Sequence, residues 1–169
     1  MISESMLPVV DLEMANTRKA LERVPDDKFD WRPHPKSFTL GTLAAHIATI
    51  PSWGAIGLTT DELDIQPPGA PPFQPPSASS RGELLAMFDE SAAKFRAALA
   101  DASDAHIMES WSLLRTGQTM FTKTRMEVIR DIVMSHIIHH RGQLTVYLRL
   151  LDLPVPAIYG PSADEGKFF

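Results

Sequence analysis

At 169 residues, with 44% hydrophobic and 22% charged side chains, the chain has the balance of one ordinary globular domain, spanning 1–169 and able to bury a core without cross-links. A formal net charge of -5 and the lack of a long Lys/Arg run argue against nucleic-acid or anionic-membrane partners. With no cysteine, disulfides, thiolate metal sites and a cysteine nucleophile are excluded, so a tightly bound metal must use nitrogen and oxygen ligands.

The start, Met1 to Met6, lacks the basic-then-apolar order of a signal peptide, and no apolar run is long enough to span a bilayer. A cytoplasmic protein is the expectation. The first helical segment, Ser3 to Arg23, repeats apolar residues at Leu7, Val10, Met14 and Leu21, the three-and-four spacing of a packed seam. Pro8 falls early enough to be tolerated, and the cluster from Val24 to Asp27 stops the helix.

A second helix is predicted over Leu40 to Thr60, with Thr39 as N-cap and Leu43, Ile47, Ile50 and Gly54 on its packed face. Pro51 should bend it. The run from Gln66 to Pro76 is a polyproline-prone arm suited to crossing the length of a bundle, and a stiff linker is its plainest reading. The third helix, Ser80 to Ala100, carries Leu84, Leu85, Phe88, Ala92, Phe95 and Leu99 on one face. Residues 109–122 are poor in helix signals and split by Thr116-Gly117, which suggests a short irregular hairpin. The fourth and longest helix, Lys123 to Asp152, ends at Leu153-Pro154, and a Pro/Gly-containing tail follows.

The last helix contains Ser135-His-Ile-Ile-His-His-Arg-Gly-Gln-Leu144. His136 and His140 are four residues apart, so their side chains stack one turn apart on the same helix face. Wound at about 100° per residue, Ile129, Ile132, Val133, Tyr147, Leu150 and Leu151 share an arc with both histidines near its centre. His139 falls on its flank, while Arg130, Asp131, Arg141 and Arg149 point elsewhere. Buried imidazoles need partners, at about 1–3 kcal/mol per unsatisfied group. Neighbouring side chains or water would serve a lone histidine, but the one-turn pair favours metal ligation. Gln143, on the same arc, could orient a bound water or substrate, or be plain core polarity. Tyr147 and Trp53 are candidates for the pocket wall, with packing as their alternative role.

His46, in the second helix among Ala44, Ala45 and Ala48, is the candidate third ligand, although spacing alone leaves it open. His34, between two prolines, and His106, in a polar connection, read as surface residues. Competing chemistries lack their residues. There are no Glu-x-x-His pairs for a di-iron carboxylate site, and Glu127 points away from the histidine arc. His-Glu-x-x-His, Gly-x-Ser-x-Gly, a P-loop and Gly-x-Gly-x-x-Gly are also missing.

The stretch His136 to Leu151, the tail Leu153-Pro-Val-Pro-Ala-Ile-Tyr-Gly-Pro-Ser162 and Leu43-Ala-Ala-His46-Ile-Ala resemble the DinB-like family of four-helix bundles, damage-inducible proteins and their thiol-transferase relatives. The resemblance extends over essentially the whole chain. It implies an all-α, up-down-down-up bundle with a long Pro-rich crossover between helices 2 and 3, commonly a homodimer. It also implies a divalent metal, zinc or nickel, on His46, His136 and His140.

Three imidazoles leave an open coordination position, as in catalytic sites. The expected function is a metal-dependent reaction on a small electrophile: transfer of a low-molecular-weight thiol, or hydrolysis. The alternative is a non-enzymatic, metal-stabilised dimeric bundle.

Overall fold

The computed structural model of the chain describes residues 1–71 and 74–166. Four long helical stretches form its bulk. Helix α1 spans Ile2–Leu21, α2 spans Leu40–Thr59 and α3 spans Arg81–Asp101. The fourth stretch begins as α5, Arg125–Glu127, continues as a π-helical segment, Val128–Met134, and ends as α6, Ser135–Leu150. A one-turn helix α4, Asp104–Met108, follows α3. Helices α1 and α2 each pack against both α3 and α6.

Local signals explain the boundaries. Thr39 Oγ1 accepts the Thr42 amide at 3.1 Å, the N-cap expected of α2. Ser80 does the same for Glu83 at 3.2 Å. Thr124 and Glu127 form a reciprocal capping box at the start of the last helix, with Glu127 Oε2 accepting the Thr124 amide at 2.8 Å. Glu127 is thus committed to a helix start and is absent from the histidine cluster. Helix α2 runs unbroken through Pro51.

The core is a continuous apolar cluster in which Val10, Leu21, Leu43, Ile47, Ile50, Phe88, Phe95, Ile137, Leu144 and Leu148 are each at most 1% exposed. Gly54 brings α2 close to α3, because a Cβ there would lie 2.4 Å from the Phe95 ring. At the other end of the fourth stretch, the buried Arg125 guanidinium donates to the carbonyl of Gly57 at 2.6 Å and to that of Thr60, and pairs with Asp61 at 2.9 Å. These are the last carbonyls of α2, where a cation is favoured. Arg125 therefore clamps the end of α2 to the start of the helix that carries His136.

The expectation of an all-α fold needs correction. A three-stranded sheet joins β1 (Glu62–Asp64), β2 (Ser110–Arg115) and β3 (Gln118–Thr124). Strands β2 and β3 form the hairpin expected near Thr116-Gly117, where both turn residues have positive φ (52° and 77°). Strand β1 adds in parallel, Glu62 opposite Ser112. The Pro-rich crossover expected over 66–76 falls partly outside the described residues. No helix of the described residues is long and apolar enough to cross a membrane.

The winding of the last helix also differs from the expectation. The residues it buries are Val128, Ile129, Val133, Met134, Ile137, Arg141, Leu144 and Leu148. His136 and His140 are half-buried on the flank of that stripe rather than at its centre, and Leu150 is 57% exposed. The π-helical turn is the reason. It inserts extra backbone into the winding, so a uniform 100° rotation carried from Ile129 to Leu151 drifts off the true core face. Arg141, expected to point outward, is 2% exposed.

Candidate metal centre

Three imidazoles meet between α2 and α6. Ring centroids are 5.0 Å apart for His46 and His136, 4.7 Å for His46 and His140, and 4.6 Å for His136 and His140. One ring nitrogen from each lies within 4.8 Å of the others, and no carboxylate joins them among the described residues. The i,i+4 pair follows from helix geometry, while His46 arrives by tertiary packing, aided by the fully buried Ala44, Ala45 and Ala48 around it.

At His136 and His140 the ring contacts leave Nε2 free to accept. His46 Nε2 and His136 Nε2 face each other at 3.2 Å. Four-coordinate zinc with bonds of about 2.0–2.1 Å spaces its ligand nitrogens by about 3.4 Å, so this separation suits a shared cation. His136 Nδ1 lies 3.3 Å from the Ile132 carbonyl oxygen and His140 Nδ1 lies 2.7 Å from Gln143 Oε1. Both contacts put the proton on Nδ1 and leave a lone pair on Nε2.

Electrostatics favour the same neutral state. Burial, then the neighbouring His140 and His136, push the His46 pKa down from 6.5 to about 4. His136 is lowered chiefly by burial, with His140 adding to the shift. His140 is lowered by burial, against the opposing bond to Gln143. Three neutral imidazoles are the donor set a borderline divalent metal takes.

The surroundings are aromatic. Trp53 packs edge-on to His46 at 5.7 Å and lies 5.4 Å from His136, and Phe38 sits 6.3 Å from His46. Tyr147 turns its hydroxyl to the Phe38 carbonyl at 3.3 Å and meets Trp31 edge-on at 5.7 Å, which ties α6 to the loop preceding α2. Of the pocket-wall candidates, then, Trp53 touches two of the rings, Gln143 bonds the third, and Tyr147 supports the neighbouring loop. Phe38 was not singled out from sequence, because it precedes the N-cap of α2 and reaches His46 from the loop rather than by helical spacing. His139 is exposed beside His140, its ring centroid 5.0 Å away. His34 is exposed, whereas His106 is half-buried and bridges Glu109 and the Leu58 carbonyl, both away from the cluster. A cavity of about 410 Å³ lies elsewhere, between α1 and the last helix, and contains none of the three histidines.

Comparison with known proteins agrees with this architecture. YrdA of Bacillus subtilis is 28% identical over 159 residues, covering 94% of this chain and 89% of that protein. A DinB-like protein from Bacillus cereus superposes with a TM-score of 0.71 at 22% identity, over 92% of this chain and 97% of that one. YfiT from Bacillus subtilis, a probable metal-dependent hydrolase of unusual four-helix-bundle topology, superposes with a TM-score of 0.65 at 16% identity, over 90% and 89% of the two chains. At these identities the two structures establish likeness of fold. The DinB family sequence model matches residues 10–167, nearly the whole chain, and the protein belongs to the DinB family.

Proposed function

We propose that His46, His136 and His140 hold one divalent cation, zinc or nickel, and that the cleft around them serves a metal-dependent reaction on a small molecule. One observation carries this reading: three imidazole donors from two helices converge within 4.8 Å while each ring stays half-buried and so reachable from solvent. Three protein ligands leave a coordination position open, which suits catalysis better than a closed structural site.

A divalent cation held there supplies Lewis acidity, lowering the pKa of a bound thiol or water and polarising an electrophile. The protein's own contribution is to hold three ring nitrogens within 4.8 Å of one another and to flank them with Trp53 and Phe38. Because no carboxylate base joins the imidazoles among the described residues, the nucleophile the cleft suits is one that ionises readily. A small thiol, with an ordinary pKa of about 8.5, fits that requirement better than water. Thiol transfer to a small, uncharged electrophile is therefore the first reading, and hydrolysis the second. The proposal includes one domain over 1–169, the up-down-down-up order with a Pro-rich crossover, and a homodimer.

Metal analysis of untagged protein tests the centre, with one equivalent of zinc or nickel expected. Screening small thiols against electrophiles then tests the reaction. A chain purified without stoichiometric metal that also fails to take up added zinc would refute the reading. If chelation instead unfolds the protein or dissociates the dimer, the non-enzymatic, metal-stabilised bundle is the better description.

A further inference from the structure

A neutral imidazole carries its proton on either ring nitrogen, and only one of the two tautomers offers a given nitrogen as a lone pair. Free histidine in water prefers the proton on Nε2, the nitrogen that a cation shared by these rings would need bare. Something must therefore hold the minor tautomer in place. For His136 the backbone does so through the Ile132 carbonyl, 3.3 Å from Nδ1. For His140 the partner is a side chain: Gln143 Oε1, three residues along the same helix and 2.7 Å from Nδ1. An amide oxygen only accepts, so the proton of this bond belongs to Nδ1.

We infer that Gln143 is a positioning residue: its side-chain oxygen holds His140 as the Nδ1–H tautomer and so presents Nε2 to a divalent cation shared with His46 and His136. The inference rests on the metal reading of the site. Gln143 is exposed and is not part of the apolar core, so its ordering against His140 adds little to fold stability. Its geometry matches the outer-shell partner that fixes the ring of a ligating histidine and raises its basicity. The reverse amide orientation, with NH₂ donating to Nδ1, would place a proton on Nε2 and oppose binding, and the same experiment detects it.

The test compares the unaltered protein with Gln143→Leu and Gln143→Glu. Long-range ¹H–¹⁵N spectra of ¹⁵N-histidine-labelled, metal-free protein report the tautomer, and chelator competition reports zinc affinity. The unaltered protein should show His140 protonated on Nδ1. Gln143→Leu should shift it toward Nε2–H and weaken zinc binding by about 10–100-fold, with circular dichroism unchanged. Gln143→Glu, whose carboxylate also accepts from Nδ1–H, should restore the Nδ1–H tautomer and tight binding. An unchanged tautomer in Gln143→Leu, or zinc binding within about twofold of the unaltered protein, overturns the role. Failure of the unaltered protein to bind zinc at all sinks the metal reading itself, which is a separate outcome.

Discussion

Arg141 and His140 are adjacent on α6, yet the helix disposes of their nitrogens in opposite ways. Arg141 points into the bundle, where Nη1 pairs with Glu13 Oε2 at 2.7 Å and donates to the Glu13 carbonyl and Thr17 Oγ1, each at 3.2 Å. Its Nη2 donates to the Tyr159 hydroxyl, which in turn donates to Glu13 Oε2 at 2.7 Å. That cluster has internal partners for its charges. The imidazole cluster, about 100° away on the same helix, gathers three neutral ring donors with no carboxylate among them. The first arrangement joins α1, α6 and the tail. The second joins α2 and α6 through ring nitrogens alone, a set of donors that a cation would bind. The contrast shows that polar groups among packed helices point to a ligand site when like donors converge, and to structure when opposite charges pair.

The largest effect expected of any change belongs to the open cluster. Replacing His136 or His140 by Ala should abolish stoichiometric metal, as read by elemental analysis, while helical content is retained. Replacing His46 should do the same if all three rings share one ion. Retention of a full equivalent in any of the three variants would separate that ring from the centre.

Breaking the closed cluster should leave metal content alone and cost stability instead. Glu13→Ala strands a buried guanidinium and should lower unfolding free energy by about 3–5 kcal/mol in urea titration. A loss below about 1 kcal/mol would mean that the Arg141 network is not closed in solution.

Acid sharpens the same contrast. In metal-free protein His46 titrates at about 4, below its ordinary 6.5, because burial and then His140 and His136 disfavour its cation. The unfolded chain therefore takes up that proton first, so the contribution to stability is full above about 6.5 and is lost as the pH falls from there toward 4. Thermal melts across that window should decline more steeply for the unaltered metal-free protein than for His46→Ala. Metal release should begin below the ordinary histidine range for the same reason. The smallest effect is local: Thr39→Ala removes the cap of α2 and should cost about 1 kcal/mol without releasing metal.

Wherever a feature depended on residues close in the chain, it could be read before any coordinates. The one-turn spacing of His136 and His140, the Thr39 cap and the turn at Thr116-Gly117 are fixed by helix pitch, a side-chain oxygen and positive φ, all local. The resemblance of the His136 to Leu151 stretch to a known family brought His46 in as a third ligand, where spacing alone left it undecided. What escaped was non-local. Strand β1 is three residues long and finds its partner some fifty positions later, too short a pattern to signal itself. The burial of Arg141 depends on Glu13 and Tyr159, brought to it by α1 and the tail.

Sequence by itself therefore determined that two imidazoles share one helix face and that the chain is mostly helical, because periodicity is a property of the backbone. Tertiary structure alone decided where that face points. A π-helical turn rotates it off the core, and Arg125 clamps α2 beside it so that His46 reaches the other two rings, a meeting of two helices that no single helix contains.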